Sequence, residues 1–157
     1  MKLEGSENLK NISFKILLVF LAVIFLPVIL IIGILYYVWG FILSFMAWTI
    51  WGLQGRNTLL IYSDSPIWLN YFEQEVLPYI NKKVIVLNWS ERKQWKLSLA
   101  VLIFKHFGRR QNFNPMAIVF KPFRFNKEFR FYEAFKDFKH GKFDKLEITK
   151  EKFLESI

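Results

Sequence analysis

The sequence predicts an α-helical membrane anchor followed by a basic α/β domain, with the element order βαβαββα and a mixed sheet. Three observations lead there. No Asp, Glu, Lys or Arg occurs between Lys15 and Arg56. Beyond that run, β-rich stretches alternate with stretches of helical period. A Phe/Arg alternation then stands where a wholly parallel sheet would need another crossover.

The chain of 157 residues has room for one domain plus an accessory segment. Hydrophobic residues make up 54% of it, above the roughly 45–50% of soluble domains. The excess lies between Phe14 and Leu53. From Arg56 onward, 19 Lys/Arg face 11 Asp/Glu, a formal charge of +8. Such a surplus favours anionic partners: lipid headgroups, nucleic acid or acidic proteins. The absence of cysteine excludes disulfides, thiolate nucleophiles, CxxC redox chemistry and Cys-rich metal sites.

Residues 1–13 form a polar tail and 14–53 the anchor. The apolar run is nearly twice the roughly 20 residues that one crossing needs. It also exceeds the apolar core of about 7–15 residues of a cleaved signal peptide. One layout is a tilted span from Ile16 to Val38, with Tyr36, Tyr37 and Trp39 as an aromatic belt. Phe41 to Leu53 then lies at the interface. The other layout is two short or re-entrant helices bent near Pro27 or Gly33. Lys2, Lys10 and Lys15 keep the tail cytoplasmic under the positive-inside rule. The expected location is a bacterial-type inner membrane. One crossing exports the domain, and two return it to the cytoplasm. The charge of +8 leans toward the cytoplasmic face.

The domain is expected over residues 56–141. Thr58 to Tyr62 reads as a buried strand. Ser65 is placed as an N-cap with Pro66 at the first helical position. That helix runs to about Leu77 and stops at Pro78. Lys83 to Asn88 is the second strand. Ser90 caps a helix from about Glu91 to Phe107, with Gly108 as its end signal. Its stretch Leu97 to Phe104 is apolar nearly all round, which points to deep burial. Pro115 to Phe120 is the third strand. Lys121 to Phe131 alternates Phe and Arg as a hairpin, with Phe inward. A helix over Glu133 to His140 follows. Residues 142–157 are a tail in which Thr149 caps a short helix.

Two features beyond the element order stand out. Ser63-Asp64-Ser65-Pro66 opens a helix directly after the first strand, and Asn114-Pro115 directly precedes the third. With the second strand KKVIVLN, these resemble a thioredoxin-like domain over roughly Asn57 to Gly141. The resemblance implies that the Ser63–Pro66 loop faces the Asn114-Pro115 loop, where that family has its cis-proline. Together the two loops would bind a substrate backbone or small ligand. The family's cysteines are missing, so its redox activity does not carry over. A flavodoxin-like or split Rossmann sheet competes but needs a fourth parallel strand, which the Phe/Arg hairpin opposes.

Candidate ligand residues are therefore Ser63, Asp64, Ser65, Asn114 and Pro115. Backbone N–H groups at the helix start offer an anion site; plain helix capping explains the same residues, and Asp64 repels an added anion. Candidate residues for an anionic partner are Arg109, Arg110, Arg124 and Arg130, with Lys121 and Lys127 nearby. A solvated basic face explains them equally well, and the alternating Phe residues read as core rather than base-stacking platforms. Nucleic acid is thus disfavoured. His106 and His140 have no acidic companions, so no metal is expected. Neither a P-loop nor G-x-G-x-x-G nor G-x-S-x-G occurs. No catalytic residue and no cofactor is assigned.

These readings converge on a membrane-anchored, non-redox binding module for a protein, peptide or anionic partner. The alternatives are a membrane-associated enzyme on a small or lipid-linked substrate, and an accessory subunit of a membrane complex. Partner identity and oligomeric state are not legible.

Overall fold

The computed structural model describes residues 2–108, 115–122, 124–139 and 144–157. The chain divides into two compact units, Met1–Trp39 and Gly40–Ile157.

The first unit is helical. Helix α1 spans Lys2–Met46 and continues as a wide π-helical stretch, Ala47–Trp51. Pro27 lies inside it, and neither Pro27 nor Gly33 ends it. Proline removes one hydrogen bond, but no turn-forming residues follow it here to redirect the chain. The structure thus replaces the two-helix layout with one uninterrupted helix. The apolar part, Phe14–Trp51, is 38 residues long, and among the described residues it is the one helix long and apolar enough to cross a membrane.

That helix does not stop at Gly40. It stops at Gly55, whose φ of 70° suits a residue without Cβ. Arg56 N donates to Trp51 O at 2.9 Å and Gly55 N to Gly52 O at 2.9 Å. This pair of bonds is the Schellman closure of a helix.

The second unit carries a four-stranded sheet. Its strands are β1 Thr58–Tyr62, β2 Val84–Asn88, β3 Met116–Val119 and β4 Lys127–Arg130. The order is β2-β1-β3-β4. β1 runs parallel to β2 and antiparallel to β3, and β3 runs antiparallel to β4. The sheet is therefore mixed, and β1 is buried along its whole length.

Side chains alternate across β1 and feed two cores. Leu60 and Tyr62 face a layer holding Trp68, Phe72, Val76, Phe131, Ala134, Leu146 and Phe153. These come from α2 (Pro66–Tyr71), the following π-helical turn, α5 (Phe131–Lys139) and α6 (Asp144–Leu154). Phe131 packs edge-on against both Phe72 (5.1 Å) and Phe153 (5.7 Å). Burying each such ring stabilises the fold by about 1.5–3 kcal/mol.

Leu59 and Ile61 face the other layer, with Ile103 and Phe104 of α4 (Leu99–Phe107) and with Leu43, Ala47 and Trp51. The last three belong to the apolar helix. The segment Phe41 to Leu53, expected at a membrane interface, is thus part of the domain. The domain starts at Gly40 rather than Arg56.

Other boundaries also move. The helix after β1 passes through Pro78 into α3 (Leu77–Ile80). The π-helical turn Phe72–Val76 immediately before it shifts the hydrogen-bond ladder, so the missing N–H of Pro78 is accommodated. The second helix begins at Leu99, not Glu91, and its cap is Ser98, whose hydroxyl accepts from Val101 N at 3.4 Å. Residues 91–96 carry only Trp95 as an apolar side chain, so a helix there has nothing to bury.

The hairpin is shorter than its alternation suggests. Phe131 opens α5, Phe129 is half-buried and Phe125 is 99% exposed. Phe123 lies outside the described residues, as do His140 and Gly141. The expected tail is a core element. Phe153 and Leu146 of α6 are buried, and Lys150 ties α6 to the turn after α2 through Glu75 (3.5 Å) while also pairing with Glu147 of its own helix (2.7 Å). Its hydrogen bond to Glu147 holds the Lys150 ammonium above its ordinary range. Asn57 Nδ2 donates to the carbonyl of Ile157 at 3.3 Å.

Candidate functional site

The Ser63-Asp64-Ser65 loop leaves the carboxyl end of β1. Tyr62 is paired with Asn88, so the loop after β1 meets the loop after β2. Three hydrogen bonds stitch them. Asn88 Nδ2 donates to Asp64 Oδ1 at 2.9 Å. Asp64 N donates to Ser90 Oγ at 3.0 Å. Ser90 N donates to Asn88 Oδ1 at 2.9 Å. Trp95 Nε1 then donates to Asn88 O at 2.9 Å, and the Trp95 ring packs on Trp89 and Phe104.

This network changes the roles expected of the loop. Ser65 sits at the N-cap position, but its side chain makes no capping bond. The Asp64 N–H, one of the groups available to an anion, is already bound to Ser90. Ser90 and Asn88 act as a clamp on the β1–α2 loop rather than as the cap of a long helix. Asn88 and Ser90 are two residues apart, the spacing of an Asx turn, and that was the sequence signal for the clamp.

Register places Pro115 at the same end of the sheet. Ile61 pairs with Met116, so Pro115 falls beside Tyr62 at the start of the Ser63 loop. Pro115 is buried and its carbonyl accepts from Phe131 N at 3.1 Å. Asn114 lies outside the described residues. The Tyr62 phenol between these loops is pushed up, chiefly by burial and then by Glu73 and Asp64. Tyr71, behind it, is also pushed up, first by burial and then by Glu147 and Glu75. Among the described residues its buried hydroxyl has no hydrogen-bond partner.

Two of the four basic candidates, Arg124 and Arg130, are among the described residues. Arg124 is exposed in the loop before β4. Arg130 is at the far end of β4 and pairs with Glu128 at 3.0 Å. Arg109 and Arg110 lie outside the described residues. His106 sits where a Cβ on Gly40 would fall on its Nε2. Burial holds its imidazole below the usual range, against a smaller opposite pull from Glu128. Among the described residues no group of three or more His, Asp or Glu side chains converges as a metal site would need. An open groove of about 450 Å³ lies between β4 and the end of α6, lined by Lys127, Glu128, Phe129, Lys152, Glu155 and Ser156. No family model, curated protein or solved structure matches the chain.

Proposed function

We propose that this chain is a membrane-anchored, non-redox binding module of thioredoxin-like topology. Residues 14–39 cross the membrane. The domain holds a protein or peptide partner at the sheet end that carries Ser63, Asp64, Ser65 and Pro115, with Asn114, outside the described residues, as the remaining candidate of the sequence reading. The observation that carries this is the sheet itself. An order of β2-β1-β3-β4 with one parallel and two antiparallel pairings supports that reading. It brings Pro115 beside the Ser63 loop. The Asp64–Asn88–Ser90 clamp holds that loop in advance, so a partner loses little loop entropy on docking.

The uninterrupted helix supports a single crossing, which separates the tail from the domain. With Lys2, Lys10 and Lys15 cytoplasmic, the domain is exported. The cytoplasmic placement suggested by its charge required a second crossing. A second reading, an accessory subunit of a membrane complex, is favoured by the exposed side chains Phe41, Ile42, Phe45, Ile50 and Leu53.

The absence of cysteine makes single-cysteine variants clean reporters. A benzophenone maleimide on Ser65→Cys in intact membranes is expected to give a discrete adduct that Glu151→Cys on α6 does not. Equal labelling from both positions overturns the docking site. An impermeant maleimide is expected to reach Glu151→Cys and Ser6→Cys from opposite sides of the membrane.

A further inference from the structure

The β3–β4 hairpin loop exposes an aromatic side chain that its sequence pattern placed in the core. Phe125 is 99% exposed. Arg124 precedes it and Lys121 lies earlier in the same loop, and among the described residues neither forms an ion pair. A bulky ring left 99% exposed in a loop that also carries two cations gains nothing from packing in the fold. The arrangement gains from a surface that is apolar below and anionic above. An anionic lipid interface has that profile, and aromatic rings and basic side chains are the residues enriched there.

The loop is also fixed at the right place along the chain. Asn126 Nδ2 donates to Ser44 Oγ at 2.6 Å. Ser44 in turn donates to Gly40 O at 2.8 Å, across one helical turn. Ser44 is therefore only about 6 Å of helix rise past Gly40, where the chain enters the domain directly after Trp39. Phe41 and Phe45, on the same helical turn, are exposed as well.

We propose that the β3–β4 loop is a membrane-interface wedge: Phe125 inserts into the headgroup region of an anionic bilayer while Lys121 and Arg124 bind lipid phosphates. This rests on the reading that residues 14–39 cross the membrane. The bilayer is then a ligand of the domain and not only its attachment. The loop supplies a second contact.

The test uses the full chain in lipid nanodiscs, with bimane on Phe125→Cys or, separately, on Val19→Cys. The discs hold phosphatidylcholine alone or with ~30 mol% phosphatidylglycerol, plus a shallow or a deep nitroxide lipid. Val19 is expected to be quenched by the deep nitroxide in both discs. Phe125 is expected to be quenched by the shallow one, about twofold more strongly in the anionic discs. The excess should vanish in ~1 M salt and in the Lys121→Glu/Arg124→Glu variant. If Val19 is quenched and Phe125 stays in water in both discs, the wedge is wrong and the anchor stands. Quenching at Phe125 that ignores both lipid charge and salt also overturns the phosphate contacts. If Val19 is not quenched, the anchor fails and the wedge with it.

Discussion

Residues 16–39 and 40–51 belong to one helical run, and both are free of charge. Their surroundings differ. Every residue from 16 to 39 except Gly33 is exposed, whereas Leu43, Ala47 and Trp51 are buried against the sheet. Hydropathy sums cannot tell these stretches apart, because lipid and a protein core are both apolar. The difference lies in side-chain size. Gly40, Ser44 and Ala47 fall on one side of the second stretch, a strip of small residues that lets another element approach closely. Leu43 and Trp51 pack inward beside that strip, while Phe41, Ile42, Phe45 and Ile50 on the other side remain exposed.

The largest effect that separates the two stretches is a cavity. Leu43 is fully buried, so Leu43→Ala is expected to destabilise the domain by about 2–5 kcal/mol. Leu30→Ala removes the same atoms from an exposed site and should leave domain unfolding unchanged. Denaturant titration of both variants in one detergent, followed by tryptophan fluorescence, checks this. Equal midpoints would mean that the last turns of the helix are not part of the domain's core.

Overpacking comes next. Gly40→Leu drives a side chain into His106 and is expected to cost about 1–3 kcal/mol. Gly33→Leu, with nothing within 4 Å of its Cβ position, should leave domain unfolding where it is. A smaller effect is expected from Asn126→Ala, which removes the hydrogen bond to Ser44 at a cost of about 1 kcal/mol. Hydrogen exchange should then rise in the loop before β4 and not in α5.

Much of the domain was legible because its signals are local. The first three strands announce themselves as short apolar runs, and Pro66 and Gly108 mark helix ends through their own backbone chemistry. What was missed depends on partners distant in sequence. The start of α4 moved to Leu99 because Trp95 is drawn to Asn88 and Phe104, and no local propensity records that. Phe153 read as tail because its burial comes from Phe129 and Phe131. At the candidate site, the order of elements suggested the neighbourhood of Ser63 and Pro115, and the register Ile61 to Met116 puts Pro115 level with Tyr62. The Asn88–Ser90 clamp was not seen, because Ser90 also makes a good helix cap. Phe125 misled for a physical reason: alternation fixes which face a residue takes only while the strand lasts, and β4 begins two residues later.

The smallest expected effect tests the junction itself. His106 packs at Gly40 and is held neutral, mainly by burial, with its pKa below 6.5. Glu128 pulls the other way but is shared with Arg130 at 3.0 Å. The unfolded chain protonates this imidazole at about 6.5, while the folded domain resists until a lower pH. Between those values the unfolded state binds more protons, so stability falls as pH drops below about 6.5 and is fully present above it. His106→Gln keeps a polar side chain without the titration, and it should flatten the unfolding midpoint between pH 7 and pH 5. The same flattening is expected in Gly40→Leu, where the imidazole is displaced from its half-buried position. A midpoint that falls equally in the wild type and in His106→Gln would place the acid sensitivity elsewhere and detach His106 from the helix junction.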